Sequence, residues 1–356
     1  MIKTPTLLLD EKKCKANIQW MYQKAKQHDV ELRPHFKTHQ SLEIGRWFKA
    51  VGVTKITVSS LTMAQYFADD WNNILVAFPT NINEIDTINS LASQISLYLS
   101  IENLESIRFL SKHLQSPVSI YIQIDVGYHR TGIEPNNTKL INAILRTIDQ
   151  SDLLTFVGFF AHSGHSYRFS NAEDIKQIHS RSLQAMAGLS KHYPFARISL
   201  GDTPTCSIAD DFTGVDEIRP GNFVFYDLMQ HQIGACSMDQ IAVALACPIV
   251  AIHHIRSEIV IYGGGVHFSK DRLEDEEGTI YGRVVEETDS GWDVVIPNMY
   301  VKSLSQEHGI VSVPKDRIDS YSIGDHLLIL PVHSCMTADL MKGYQTLNGL
   351  SFLKLN

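Results

Sequence analysis

The chain has few cysteines, no long apolar run and no excess of positive charge. Its 356 residues include five scattered cysteines, at positions 14, 206, 236, 247 and 335, without a CxxC pair. We therefore expect no disulfide framework and predict a reducing compartment, the cytoplasm. No apolar run approaches the length of a membrane span, and the opening MIKTPTLLLDEKK lacks the hydrophobic region and cleavage site of a signal peptide. We expect no membrane partner.

The charge balance excludes a second class of partner. Lysine and arginine number 31 against 39 aspartates and glutamates, a net charge of −8, which argues against a nucleic-acid surface. With 44% hydrophobic and 20% charged residues, the composition is that of an ordinary globular protein. The length suits a barrel-sized domain with a smaller second domain.

Eight short apolar runs follow one another between Val30 and Phe223, with helical stretches between them. Most carry Val, Ile, Leu or Phe almost continuously, as strands buried on both faces do. The runs are VELRPHF, KITVSS, ILVAFP, ISLYLS, SIYIQIDVG, LTFVGFFAH, RISLGD and EIRPGNF. Eight strand–helix units in sequence are typical of a closed (β/α)8 barrel, with a doubly wound sheet as the alternative.

The pattern changes from about Gln240. Runs such as QIAVALACPIVAIHH and SEIVIYGGG are joined by turn-rich segments, without a convincing long helix until the end. We predict a barrel domain over residues 11–235 and an all-β domain over residues 236–356, which residues 1–10 can join. The predicted fold class is therefore α/β, a TIM barrel plus a C-terminal all-β domain.

Polar residues fall at the ends of the predicted barrel strands, where the catalytic groups of such barrels lie. They are Lys37 after the first run, Arg130 after the fifth, and His162 and Tyr167 after the sixth. The glycine-containing loops GDTPT (201–205) and RPGN (219–222) follow the seventh and eighth runs, where these barrels commonly bind phosphate. We therefore predict a phosphate site on this face.

Lys37, in the stretch RPHFKTH, is either a solvated lysine or an amine kept away from water for chemistry. A buried strand end would desolvate the amine and depress its pKa, as Schiff-base formation requires. Gly201 and Gly221 would let backbone N–H groups approach an anion, and the Thr203 hydroxyl could donate to it. A lysine and a phosphate site on one rim together suggest pyridoxal phosphate.

The stretch PVHSCMT places a histidine and a cysteine two residues apart. In an extended strand, His333 and Cys335 would face the same side and offer an imidazole and a thiolate to Zn²⁺. The alternative is that Cys335 is a small core residue. Two protein ligands would leave positions open for water or substrate, as a catalytic zinc requires.

Five motifs in order along the chain resemble those of the D-serine dehydratase and D-threonine aldolase family, within the alanine-racemase-like, fold-type III pyridoxal-phosphate enzymes. RPHFKTH looks like the family's Schiff-base lysine motif, DVGYHRTGI like its arginine motif, GDTPT and RPGNF like its phosphate loops, and PVHSCMT like its metal motif. One departure is His165 within HSGHSY, where smaller or amide residues are common in the family.

The resemblance implies a role for each matching residue. Lys37 would carry pyridoxal phosphate and remove the Cα proton. Further contacts to the cofactor would come from Arg130, His162 and Tyr167 around the ring, and from Gly201, Thr203, Gly221 and Asn222 at the phosphate. His333 and Cys335 would bind zinc. A head-to-tail homodimer is implied as well.

The resemblance also favours one reaction. The dehydratases resemble H-x-C at the metal motif, whereas the aldolases resemble H-x-D, so Cys335 favours elimination of water from D-serine or a similar D-3-hydroxyamino acid, giving a 2-oxo acid and ammonia. The alternatives are a metal-dependent D-threonine aldolase, giving glycine and an aldehyde, and a non-catalytic pyridoxal-phosphate-binding protein. A racemase is disfavoured because no second-face tyrosine base is evident.

Overall fold

The computed structural model describes residues 2–355 of the chain. The α-helices are α1 (Glu11–Gln27), α2 (Leu42–Ala50), α3 (Leu61–Ala68), α4 (Ile85–Ala92), α5 (Leu104–His113), α6 (Thr138–Asp149), α7 (Ala172–His192), α8 (Thr203–Ile208), α9 (Leu228–Gln232), α10 (Gly265–Phe268) and α11 (Ser334–Leu340). The strands are β1 (Thr6–Leu9), β2 (Glu31–Leu32), β3 (Ile56–Val58), β4 (Asn73–Pro79), β5 (Ser96–Ile101), β6 (Val118–Ile124), β7 (Leu154–Ala161), β8 (Arg197–Leu200), β9 (Glu217–Ile218), β10 (Val243–His253), β11 (Glu258–Tyr262), β12 (Leu273–Asp275), β13 (Gly278–Ile280), β14 (Gly282–Thr288), β15 (Gly291–Leu304), β16 (His308–Ser312), β17 (His326–Pro331), β18 (Gly343–Thr346) and β19 (Ser351–Leu353).

Strands β2 to β9 form one parallel sheet in the order β2-β9-β8-β7-β6-β5-β4-β3. The sheet closes between its first and last strands, because the Phe36 N–H donates to the Thr57 carbonyl (2.8 Å) and the Thr57 N–H donates to the Pro34 carbonyl (2.9 Å). Each of the eight apolar runs contributes one strand, and helices connect them on the outside. The predicted (β/α)8 barrel is confirmed.

Several barrel helices begin at residues whose side chains satisfy free N–H groups of the first turn. Asp10 accepts from the N–H groups of Lys12 and Lys13 at the start of α1, and Ser60 accepts from Met63 at the start of α3. Asparagines cap α5, α6 and α7 in the same way, at positions 103, 137 and 171. Such caps fix where each helix starts and hence the length of the loop above the preceding strand.

The barrel interior holds a buried polar network. Arg33 Nε donates to Glu217 Oε2 (2.7 Å), and Ser199 Oγ donates to Glu217 Oε1 (2.6 Å). Arg219 Nη1 in turn donates to Ser199 Oγ (2.6 Å), and its guanidinium lies 4.6 Å from the centre of the Phe160 ring. One carboxylate therefore stabilises two arginines that are almost fully enclosed.

The second sheet has nine strands in the order β11-β16-β15-β14-β17-β10-β1-β18-β19, and β10 also pairs with β11. Six of its strands therefore close on themselves. Strand β1 lies antiparallel to β10 and parallel to β18, so the first strand of the chain belongs to this sheet. The barrel is inserted between β1 and β10.

The C-terminal region is mostly β but not wholly so. Strand β17 ends at Pro331, and α11 begins at Ser334. The expectation that His333 and Cys335 lie together on an extended strand is wrong, because His333 precedes the helix and Cys335 lies in its first turn. No helix among residues 2–355 is long and apolar enough to cross a membrane.

Replacing Glu217 with Gln should lower the free energy of unfolding by about 3–5 kcal/mol, because two buried arginines lose their counter-charge. The matched control is Lys55→Gln, which breaks the exposed ion pair between Lys55 and Glu31 and should cost less than about 1 kcal/mol. Urea unfolding of both variants measures the two losses. Equal losses would contradict the assignment of the barrel interior as a charge-dependent core.

Candidate active site

A cavity of about 1340 Å³ opens at the C-terminal ends of the barrel strands. Its wall comes from the barrel loops, from α11 and from the chain between α11 and the C-terminal tail. All ten residues predicted to form the site line it: Lys37, Arg130, His162, Tyr167, Gly201, Thr203, Gly221, Asn222, His333 and Cys335. The fold thus brings residues that are up to 298 positions apart in the sequence together around one cavity.

Lys37 lies in the loop after β2 and extends into the cavity, where its side chain retains contact with solvent. The surrounding walls desolvate its amine and lower its pKa from the usual 10.5; Cys335 opposes the shift, and Arg130 adds to it. Gln40 holds the loop by donating from Nε2 to the Lys37 carbonyl (3.2 Å) and to Asp339 Oδ1 (2.7 Å). A larger fraction of this amine is therefore unprotonated, and so able to act as a nucleophile or proton acceptor, than for a surface lysine.

The two glycine loops lie against each other and leave no room for side chains. Gly201 has a φ of +124°, and a Cβ there would come within 2.6 Å of Cys206 Sγ. A Cβ on Gly221 would come within 2.8 Å of the His35 carbonyl oxygen. The Thr203 hydroxyl joins the loops by accepting from the N–H groups of Gly221 (3.2 Å) and Phe223 (3.3 Å).

The hydroxyl of Thr203 is thus already committed as an acceptor between the loops. The N–H groups of Thr203 and Asn222 stand at the first positions of α8 and of a short 3₁₀ turn, where a helix provides no partner for them. The loops therefore present backbone donors to the cavity.

His162 and Tyr167 lie on the segment after β7. Burial lowers the pKa of His162 to about 3, with further lowering by the nearby cations Lys37 and Arg130. Burial raises the pKa of Tyr167 well above its usual 10, and the nearby carboxyl of Asp202 adds to that. Both side chains are neutral at physiological pH and present hydrogen-bonding groups without charge.

Arg130 lies on the loop after β6, and Asp125 shapes that loop. One oxygen of Asp125 accepts from the N–H groups of Gly127 (2.9 Å) and His129 (3.0 Å). The guanidinium of Arg130 lies 4.9 Å from the centre of the Tyr128 ring, a cation–π contact at the edge of the cavity.

His333 and Cys335 meet although they are not on a strand. Burial disfavours the charged imidazole, but hydrogen bonds to Asp271 and Cys335 raise the pKa of His333 to about 11. Burial likewise disfavours the thiolate, yet His333 holds the pKa of Cys335 below its usual 9.0. Cys335 Sγ also lies 3.2 Å from Thr38 Oγ1 and 3.3 Å from Asn222 Nδ2. The Cys335 sulfur is therefore surrounded by several hydrogen-bonding groups.

Three residues of the site were not predicted from the sequence: Arg219, Asp227 and Asp271. Arg219 lines the cavity and is the first residue of the RPGN loop. An arginine at the end of a buried strand is the sequence feature that could have indicated it. Asp227 and Asp271 contact the metal motif from positions 107 and 62 residues away, and nothing local to PVHSCMT indicates them.

The sequence matches the family described as alanine racemase, N-terminal domain, over residues 9–228, more than half of the chain. The chain belongs to this family. Residues 242–347 also match the family described as putative serine dehydratase domain. These matches confirm the alanine-racemase-like family predicted from the motifs, in its D-serine dehydratase branch.

The curated relatives are named as dehydratases and aldolases. The D-serine dehydratase of Dictyostelium discoideum is 28% identical over 98% of this chain and 94% of its own, and the D-threo-3-hydroxyaspartate dehydratase of Delftia sp. (strain HT23) is 28% identical over 97% and 94%. A solved structure of a cysteine-to-alanine mutant D-threo-3-hydroxyaspartate dehydratase in the metal-free form has a TM-score of 0.92 at 26% identity, covering 100% of this chain and 98% of that one. A D-threonine aldolase of Arthrobacter sp. is 23% identical over 64% of this chain and 62% of its own.

Replacing His162 with Gln should flatten the pH dependence of stability. Because the pKa of His162 falls from 6.5 to about 3 on folding, the unfolded chain binds a proton below pH 6.5 that the native state does not, and stability is lost as the pH falls. The variant should lose about 2 kcal/mol less than the wild type between pH 6.5 and 5. Urea unfolding at both pH values measures this. His192→Gln, at an exposed position, should behave as the wild type.

Proposed function

We propose that the protein is a pyridoxal-phosphate- and zinc-dependent dehydratase of D-3-hydroxyamino acids, such as D-serine, which releases a 2-oxo acid and ammonia. The observation that carries the proposal is that the Lys37 amine and the His333–Cys335 pair face one cavity, and that the pKa values of the amine and of the thiol are both lowered. Thr38 joins them, since it follows Lys37 in the chain and its hydroxyl contacts Cys335 Sγ at 3.2 Å. A dehydratase needs both groups at one substrate.

The residues of the cavity fit pyridoxal phosphate. The cradle formed by Gly201 and Gly221 has no room for a Cβ, so its backbone N–H groups can approach a phosphate. Lys37 lines the same cavity, so one cofactor could contact both the lysine and the cradle. Tyr167 and His162 present neutral groups for the ring, and Arg130 and Arg219 provide positive charge. When bound, pyridoxal phosphate supplies an electron sink for negative charge that develops at the substrate Cα.

The metal motif fits a two-ligand zinc site. Within residues 2–355 no group of three or more His, Cys, Asp and Glu side chains is arranged for a metal ion, so His333 and Cys335 would leave positions open for substrate. An imidazole and a thiolate are donors that zinc prefers. When bound, zinc supplies a Lewis acid for a departing hydroxyl group. A reducing compartment such as the cytoplasm keeps the thiol available.

The chain's own groups then have distinct tasks. Lys37, with its lowered pKa, can take the Cα proton near neutral pH. His333 and Cys335, at the start of α11, would hold the metal, whereas Lys37 comes from a barrel loop, so the proton acceptor and the metal ligands come from different elements around one cavity.

We also propose a homodimer. Phe78, Met336 and Leu340 stand on the rim of the cavity with 59%, 42% and 42% of their surfaces exposed. An apolar rim around a binding cavity is a surface that a second subunit would cover. Sedimentation velocity of the wild type measures the state directly.

The second candidate function is a D-threonine aldolase. It is supported by the aldolase relative, which shares the family but covers a smaller share of this chain than the dehydratases do. The same cavity would then hold the β-hydroxyl while the Cα–Cβ bond breaks. A protein that binds pyridoxal phosphate without turnover is the third candidate.

Product analysis separates the three candidates. The purified protein, supplied with pyridoxal phosphate and zinc, is incubated with D-serine, D-threonine and D-threo-3-hydroxyaspartate. We expect a 2-oxo acid and an equal amount of ammonia from at least one of them. Glycine with an aldehyde would replace the dehydratase by the aldolase, and no product with retained cofactor would favour the binding protein.

Replacing Cys335 with Ala should lower turnover by at least about 100-fold, because the leaving group loses its metal. The visible absorbance of the bound cofactor should persist, since Lys37, Gly201 and Gly221 are unchanged. Cys236→Ala is the matched control, because this thiol lies outside the cavity lining and is also half-buried. Wild-type turnover in the Cys335 variant would remove the metal from the proposal.

A further inference from the structure

We infer that Asp271 is a positioning residue for the metal. Through its hydrogen bond to Nδ1 of His333, it fixes the imidazole so that Nε2 is the nitrogen offered to zinc beside Cys335. The inference deepens the proposed function and rests on its zinc site. It assigns a role to a residue that lies outside every motif of the sequence.

The contact is direct and comes from a separate part of the chain. Asp271 Oδ2 lies 2.8 Å from His333 Nδ1, within the range of a charge-assisted hydrogen bond. A carboxylate can only accept, so Nδ1 carries the hydrogen and Nε2 is the remaining ring nitrogen. His333 lines the cavity, whereas Asp271 does not, so the imidazole stands between the carboxylate and the cavity.

The backbone that carries Asp271 is held against the metal motif. The Asp271 N–H donates to Ser269 Oγ (3.1 Å), and Ser269 has a φ of +75° at the end of α10. Thr337 of α11 donates from Oγ1 to the Phe268 carbonyl (3.0 Å), and this contact ties the segment before Asp271 to the helix that carries Cys335. The Asp271 side chain, 39% exposed, therefore starts from a fixed backbone position and is directed by its contact with His333.

The other carboxylate near the motif cannot serve in this way. Asp227 is buried and already accepts from Asn222 Nδ2 (2.6 Å), the Ser334 N–H (2.9 Å), Ser334 Oγ (3.2 Å) and the Gln230 N–H (2.9 Å). Its oxygens hold the backbone of the motif, and none of these contacts reaches the imidazole. The orientation of the His333 ring therefore depends on Asp271.

A carboxylate behind a metal-binding imidazole fixes the tautomer and raises the basicity of the ligand nitrogen, and its loss typically costs roughly 10–100-fold in metal affinity. We expect that range for Asp271→Ala. Asp271→Asn keeps an acceptor without the charge and should lie between Asp271→Ala and the wild type. Asp271→Glu keeps the charge and should restore part of the affinity.

The experiment measures zinc affinity and not turnover. Metal-depleted protein that retains its cofactor is titrated with zinc in competition with a chromophoric chelator. The variants are the three substitutions of Asp271, the ligand deletion His333→Ala, and the control Asp275→Asn. Asp275 lies four residues further along and contacts Arg283, so its substitution changes a nearby carboxylate without touching His333. Thermal midpoints of the metal-free proteins and the visible absorbance of the cofactor show whether each variant remains folded and loaded.

The outcomes separate the positioning role from the zinc site itself. Zinc binding that is lost in His333→Ala, weakened at least about tenfold in Asp271→Ala and unchanged in Asp275→Asn supports the inference. Loss in His333→Ala with wild-type affinity in Asp271→Ala and Asp271→Asn overturns the positioning role and leaves the proposed zinc site intact. A wild type that binds no more zinc than His333→Ala overturns both.

Discussion

One buried carboxylate, Asp227, holds the two parts of the active site in register. The amine comes from the barrel and the thiolate from the C-terminal region, so neither part contains the site alone. Asp227 Oδ2 accepts from Asn222, in the second glycine loop of the barrel, and from the backbone and hydroxyl of Ser334, at the start of α11. Because the carboxylate is fully buried, no water molecule can take its place as the acceptor for these donors. The same contact points Asn222 Nδ2 at Cys335 and brings the metal motif to the cradle.

The cavity is lined by positive charge, although the chain as a whole carries a negative net charge. The net charge is −8, yet Lys37, Arg130 and Arg219 line one cavity. Their positive charge depresses the pKa of His162 in addition to its burial, so the histidine remains neutral and does not add to the repulsion. Arg219 is held under the cavity by the carboxylate of Glu217 through Ser199. An acidic protein therefore maintains a locally cationic cavity, which suits a phosphate and a substrate carboxylate.

The barrel was predictable from the sequence because its signal is local. A strand that is buried on both faces appears in the sequence as an apolar run. The order of these runs along the chain indicates which strands are neighbours in the parallel sheet. The cavity followed, since residues at strand ends such as Lys37 and His162 converge on one face. The sites of Asp227 and Asp271 were not predictable, because their partners are distant in sequence and their own surroundings carry no periodic pattern. The conformation of the metal motif was missed for a related reason: Ser334 starts a helix whose first N–H is satisfied by Asp227, a tertiary contact that outweighs the extension of β17 past Pro331.

The helical start at Ser334 also places the Cys335 sulfur among side chains from several parts of the chain. Thr38 Oγ1 of the lysine loop lies 3.2 Å from this sulfur, and Asn222 Nδ2 of the second glycine loop lies 3.3 Å from it. His333 hydrogen-bonds to it and lowers its pKa from the usual 9.0, against the effect of burial. A sulfur ligand is softer than the carboxylate oxygen of an aspartate, and it selects borderline metals over oxygen-preferring ions. Under the proposed function, Cys335 would in this way favour zinc and the elimination of water over aldol cleavage.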